Sequence, residues 1–196
     1  MPVDDRVVES FLAGVTAVSG AVEGWADADW ARPACGIWTG TDLAGHLVTV
    51  VGWYYSWLDR ALAGDASPAF PADELTIQTA AALDTLPSGS GPDRVAEFDR
   101  TARRYAARVV DAWEVPYGYP RGTVTAGLHA ALASWEWHVH ASDLARTAGR
   151  DHRPADAALL YGRGMDCFAV ATGTDPRVDA PADAWLELLR RTGREV

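Results

Sequence analysis

Within the segment SWEWHVHASDLA, residues 134–145, Glu136 and His140 stand four positions apart. On a helix that spacing puts both on one face, about one turn from each other. A carboxylate and an imidazole so placed can hold one metal ion, by the geometry of zinc-binding helices that present paired ligands. His138 is two residues from each of them, so it points to roughly the opposite side and reads as a packing or surface histidine. One helix cannot close such a site. His46, in DLAGHLVTVV, lies on the stripe Leu43, His46, Leu47, Val50 that should face a core. It has two readings, a satisfied core histidine or the third ligand. Two histidines and a carboxylate suit zinc, and also ferrous iron or nickel. Three protein ligands would leave one coordination position open to a water, a thiolate or a substrate oxygen.

The residues around these three bear on what the site would handle. From His46, the positions Val50, Trp53 and Trp57 stay on about the same helical face, and Tyr54 is close to it. They either fill a core or wall an aromatic pocket for a bulky or planar ligand. His129 is seven residues before Glu136 and shares its face. It is a candidate proton-transfer group; the alternative is a capping or solvent-facing histidine early in the helix. Asp143, three after His140, could orient the imidazole by accepting its second N–H, or bond to a loop. Cys35 could approach a metal or a bound thiol, or simply pack a turn. Cys167 reads as core, and Arg103, Arg104 and Arg108 as a solvated basic face.

Helices must position these groups. Residues 4–23 place Val8, Phe11, Leu12, Val15, Val18 and Val22 at three-and-four spacing. A second helix is predicted from Thr39, where Thr39 and Asp42 form a capping-box pattern, to about Ala63 before Gly64. Residues 65–91 form a long connection with a short helix near 73–84. Another helix opens with Pro92 in its first turn and runs to about Trp113. After the loop EVPYGYPRG, the ligand-bearing helix spans roughly 123–148. Two further helices cover about 154–172 and 182–192. Nothing alternates with period two, so no sheet is predicted. Four main helices with short additional C-terminal ones give an all-α, antiparallel four-helix bundle, one domain over residues 1–196.

Composition bounds the function. The chain has 196 residues, 48% apolar and 22% charged, with a net charge of −10. An acidic surface repels phosphate backbones and anionic lipid, which argues against nucleic acid and membrane partners. No run approaches the roughly 20 apolar residues of a membrane span, and acids in MPVDDRVVES do not suit a secretory signal, so a cytoplasmic protein with two reduced thiols is expected. All 17 basic residues are arginine. The absence of lysine excludes Schiff-base chemistry on this chain. Nine tryptophans are an excess that needs a reason.

The segment WARPACGIWTGTDLAGHL resembles the pattern W-x-x-P-x-C-x-x-W-T-x-x-D-L-x-x-H-L of the mycothiol-dependent maleylpyruvate isomerase N-terminal domain family, within the DinB-like metal-binding four-helix bundles. EWHVHASDLARTAGR resembles that family's second signature, E-x-x-x-H-x-x-D-L-A-x-A-x-G, and WLELLRRTGRE its usual ending, L-L-x-x-x-G-R. The resemblance implies a divalent metal, most often zinc, on His46, Glu136 and His140. It implies mycothiol as a metal-activated nucleophile that adds to a small electrophile, and isomerisation by thiol addition, bond rotation and thiol expulsion. The chain has no room for the additional C-terminal domain of the full isomerase. Ser142 and Thr147 depart from the family, which often has tryptophan or another bulky residue and alanine there, and that leaves the substrate open. The expectation is a thiol transferase or isomerase acting as a monomer or homodimer. The alternatives are a thiol-independent Lewis-acid cyclase, lyase or hydrolase, and a non-catalytic binding or stress protein.

Overall fold

The computed structural model describes residues 2–173 and 181–195. Its framework is four long helices: α1 (Asp5–Ala21), α2 (Gly40–Leu62), α4 (Gly91–Asp111) and α5 (Ala126–Thr147). Helix α1 packs on α5 and α2 on α4, and cross-contacts from α1 to α4 and α2 to α5 close the bundle. Shorter helices cover its flank: α3 (Leu75–Thr85), α6 (Ala157–Thr172) and α7 (Ala184–Arg191). The protein is an all-α, DinB-like bundle. No described helix is long and apolar enough to cross a membrane.

Local chemistry sets the helix ends. The Thr39 hydroxyl accepts from the Asp42 N–H at 3.2 Å, and the Asp42 carboxylate accepts from the Thr39 N–H at 3.0 Å. This reciprocal cap starts α2 and fixes the rotation at which His46 enters the bundle. Ser90 caps α4, with Pro92 in its first turn. The basic face on α4 is solvated and paired, Arg103 with Asp99 and Arg108 with Asp59.

The expectation of no sheet is corrected by two small hairpins. Strands β1 (Pro33–Cys35) and β2 (Trp38–Thr39) pair just before α2. Strands β3 (Pro116–Tyr119) and β4 (Gly122–Thr125) pair just before α5, in the register Pro116↔Thr125 to Tyr119↔Gly122. Strands this short, and rich in proline and glycine, carry no readable alternation, and backbone pairing alone defines them. Because 122–125 is strand, α5 begins at Ala126 and not near 123, and Thr125 is its cap. The loop EVPYGYPRG is thus a hairpin that aims Tyr119 inward.

The core explains part of the tryptophan excess. Trp137 is fully buried between Phe98 and Phe11, at ring separations of 4.8 and 5.8 Å. Trp135 lies on the other side of α5, pressed onto α6 at Gly164, where a Cβ would stand 2.2 Å from the indole. Only glycine lets α6 approach that closely. Cys167 is fully buried, as expected of a core residue.

Candidate metal centre

Helix α2 delivers His46, and α5 delivers Glu136 and His140. His46 Nε2 lies 3.3 Å from Glu136 Oε1. The two imidazole rings meet edge to face, with centroids 5.0 Å apart. One donor atom from each of the three residues falls within 4.8 Å of the others. Spacing on two separate helices has produced one convergent cluster.

Glu136 and His140 are each held by a further residue, while the buried Nδ1 of His46 has no hydrogen-bond partner among the described residues. The Tyr54 hydroxyl donates to Glu136 Oε2, which leaves Oε1 facing His46. His140 donates from Nδ1 to Asp143 Oδ2 at 3.0 Å, so Nε2 is the nitrogen left for a cation. Asp143 is buried and also receives Arg194, at 2.6 Å on Oδ2 and 3.1 Å on Oδ1. Asp143 therefore bonds both the His140 imidazole and another segment. That segment is the turn after α7. Arg194 also reaches Cys35 Sγ at 3.3 Å, so Cys35 ties the β1 strand to the same network.

Protonation states suit ligation. Burial pushes the Glu136 carboxyl up, but His46, His140 and Tyr54 together outweigh it and hold the group at about 2. Burial keeps His140 below the ordinary histidine range despite the pull of Asp143, so the ring is neutral near pH 7. Burial and the Glu136 charge keep Tyr54 well above its usual value, as a neutral donor. Burial and Asp143 raise the Cys35 thiol, which stays protonated at neutral pH and is no ready nucleophile. Among the described residues no arginine is ion-paired with Glu136. Two imidazoles and an ionised carboxylate, with donor atoms within 4.8 Å of one another, fit a divalent cation.

The cluster forms one wall of a cavity of about 450 Å³. Trp53, Tyr54 and Trp57 from α2 line it, as the spacing from His46 suggested. Leu132, Trp135 and Val139 line it from the Glu136 face of α5, Met165 and Phe168 from α6, and Leu75 and Thr79 from α3. Tyr119 enters from β3, and Arg191, Thr192 and Arg194 from the C-terminal end.

The family model for the mycothiol maleylpyruvate isomerase N-terminal domain matches residues 11–145. The chain belongs to that family. The matched span carries His46, Glu136, His140 and Asp143, while Arg191 and Arg194 lie beyond it. No curated protein and no solved structure matches the chain.

His129 does not reach the candidate site. It is fully buried, neither capping nor solvent-facing. Its ring stacks on Tyr117 at 4.4 Å and meets Tyr54 edge-on at 4.4 Å, and it does not border the cavity. Its Nδ1 is 3.2 Å from the Tyr105 hydroxyl, and burial lowers its pKa to about 3. A proton-transfer role lacks contact with the reacting space. His138 does point away from the cluster, but it is buried, with Nε2 3.1 Å from the Ser10 carbonyl and Nδ1 3.0 Å from His152. Sequence reasoning missed Tyr119, whose hairpin was read as a loop. It also left Arg194 without a role, although that arginine closes the tail pattern L-L-x-x-x-G-R.

Proposed function

We propose that the protein is a metal-dependent enzyme of thiol chemistry, a transferase or isomerase that presents mycothiol or a similar small thiol to an electrophile. The observation that carries this is the convergence of His46, Glu136 and His140 on the wall of a cavity, in a chain of this family. Zinc is the first choice of metal, with nickel or ferrous iron compatible. A bound divalent cation supplies Lewis acidity that stabilises the deprotonated form of a thiol near neutral pH. The chain's own residues do the rest. Tyr54 fixes which carboxylate oxygen faces the centre, and Asp143 fixes the His140 tautomer and ring plane. The aromatic walls hold the electrophile close, where a positioned nucleophile gains from proximity. We place the reaction in the cytoplasm, where reduced small thiols are held. A thiol-free Lewis-acid reaction is the second reading, favoured by how few polar groups the walls offer a hydroxyl-rich thiol.

Turnover of 1-chloro-2,4-dinitrobenzene by zinc-loaded protein should require added mycothiol. An equal rate without thiol supports the second reading, and protein purified without any bound metal overturns both. Asp143→Asn should weaken zinc binding about tenfold to a hundredfold, as losses of a histidine's orienting partner do. Competition with a chromogenic chelator measures this. Unchanged affinity would remove Asp143 from the centre.

A further inference from the structure

We infer that the cavity takes a flat, largely apolar acid, an extended aromatic body with one anionic group held at the Arg191 end. This names the electrophile class for the proposed reaction and rests on that reading for its chemistry, while the binding itself needs neither metal nor thiol. The shape argument comes from the walls. Trp53 and Trp57 lie nearly parallel, 6.0 Å apart at 18°, with Phe70 edge-on to both at 5.3 and 5.7 Å. Phe70 thereby props the two indoles as a fixed ledge on the α2 side. Across the cavity, Trp135 and Phe168 form a second aromatic wall, 5.5 Å apart and perpendicular. Rigid aromatic faces favour a planar ligand that can stack, and a volume of about 450 Å³ admits more than one ring.

The charge argument comes from the rim. The chain carries a net charge of −10, yet the charged side chains at the C-terminal edge of the cavity are arginines. Arg194 is engaged by Asp143 and Cys35. Among the described residues Arg191 is ion-paired with Glu187, at 3.0 Å, and lies over the Tyr161 ring at 5.8 Å, and its side chain is 41% exposed. Arg190 approaches the same carboxylate at 3.8 Å, so two guanidiniums share one acid. Arg190 competes with Arg191 for that carboxylate, and an exposed pair of this kind is weak enough to be exchanged for a ligand anion. In the metal-free protein Glu136 at the inner wall repels an acid there, which directs the anionic end outward and the apolar body toward His46 and His140.

Isothermal titration of the metal-free full chain with 2-naphthoate and with methyl 2-naphthoate tests this. The acid should bind about fivefold tighter than its ester. Arg191→Gln should erase that preference and leave the ester unchanged. Trp53→Ala should weaken both ligands about tenfold, and Trp53→Phe, which keeps a ring on the ledge, should recover most of the loss. An ester that binds as well as the acid, Trp53 variants without effect, or no binding by either ligand overturns the inference. Naphthoate binding to His46→Ala protein that holds no zinc would leave the ligand class standing even where the metal reading fails.

Discussion

Protein with His140→Ala is expected to lose its zinc. Structural zinc sites with four ligands bind with about 10–16 kcal/mol, about 3–4 kcal/mol for each ligand, so removing one of three ligands here should cost on the order of a thousandfold in affinity. Purified wild-type protein should carry about one zinc per chain by elemental analysis, and the variant less than a tenth of that. The fold should survive the change, because Asp143 keeps Arg194 as its partner at 2.6 Å and no buried charge is orphaned. Glu136→Gln should fall in between: the amide oxygen can still accept from Tyr54, but the anionic charge is gone. His138→Gln is the sharp control. It lies on the same helix, two residues from both ligands, and bonds to the Ser10 carbonyl on the far side. Its zinc content should equal wild type. If His138→Gln loses zinc as His140→Ala does, the cluster of positions 46, 136 and 140 is not the metal centre.

The four bundle helices were legible because each carries its own signal. The Thr39–Asp42 cap sets where α2 starts, and from that start the helical repeat alone turns His46 inward beside Leu43 and Leu47. The Glu136–His140 spacing works the same way within α5. What single-helix periodicity cannot give is the distance between helices, so the meeting of His46 with Glu136 was open until the packing was known. Tyr119 and Arg194 were hidden for other reasons. Tyr119 sits in a four-residue strand, and Arg194 follows α7 by three residues and returns to the site through Asp143. His129 was misplaced because its helical face was right but its depth was not. It lies one layer behind Tyr54, and a periodicity argument has no coordinate for depth.

That depth has a consequence for stability. His129 is fully buried, its Nε2 has no hydrogen-bond partner among the described residues, and burial lowers its pKa to about 3 against an ordinary value near 6.5. A protonated ring would place an N–H and a charge where nothing receives them. His152, lowered to about 4 by burial and by His138, and His138 itself, lowered by burial, act in the same direction. The unfolded chain takes up these protons as pH falls through 6.5, while the folded protein does not. Stability is therefore whole above about pH 6.5 and declines below it. His129 alone accounts for about 3 kcal/mol between pH 7 and about 4.5, at 1.36 kcal/mol for each unit below its unfolded value. Glu136 and Asp143, both held at about 2, begin to contribute only below about pH 4.5, so they stay outside the window. Urea unfolding of metal-free protein at pH 7.0 and 4.5 reads the effect. His129→Gln, which keeps a polar partner for Tyr105 but cannot titrate, should lose about 3 kcal/mol less than wild type across the same interval. An identical loss in both proteins would show that the imidazole is protonated in the native state, and that His129 has the access to protons that its position behind Tyr54 denies.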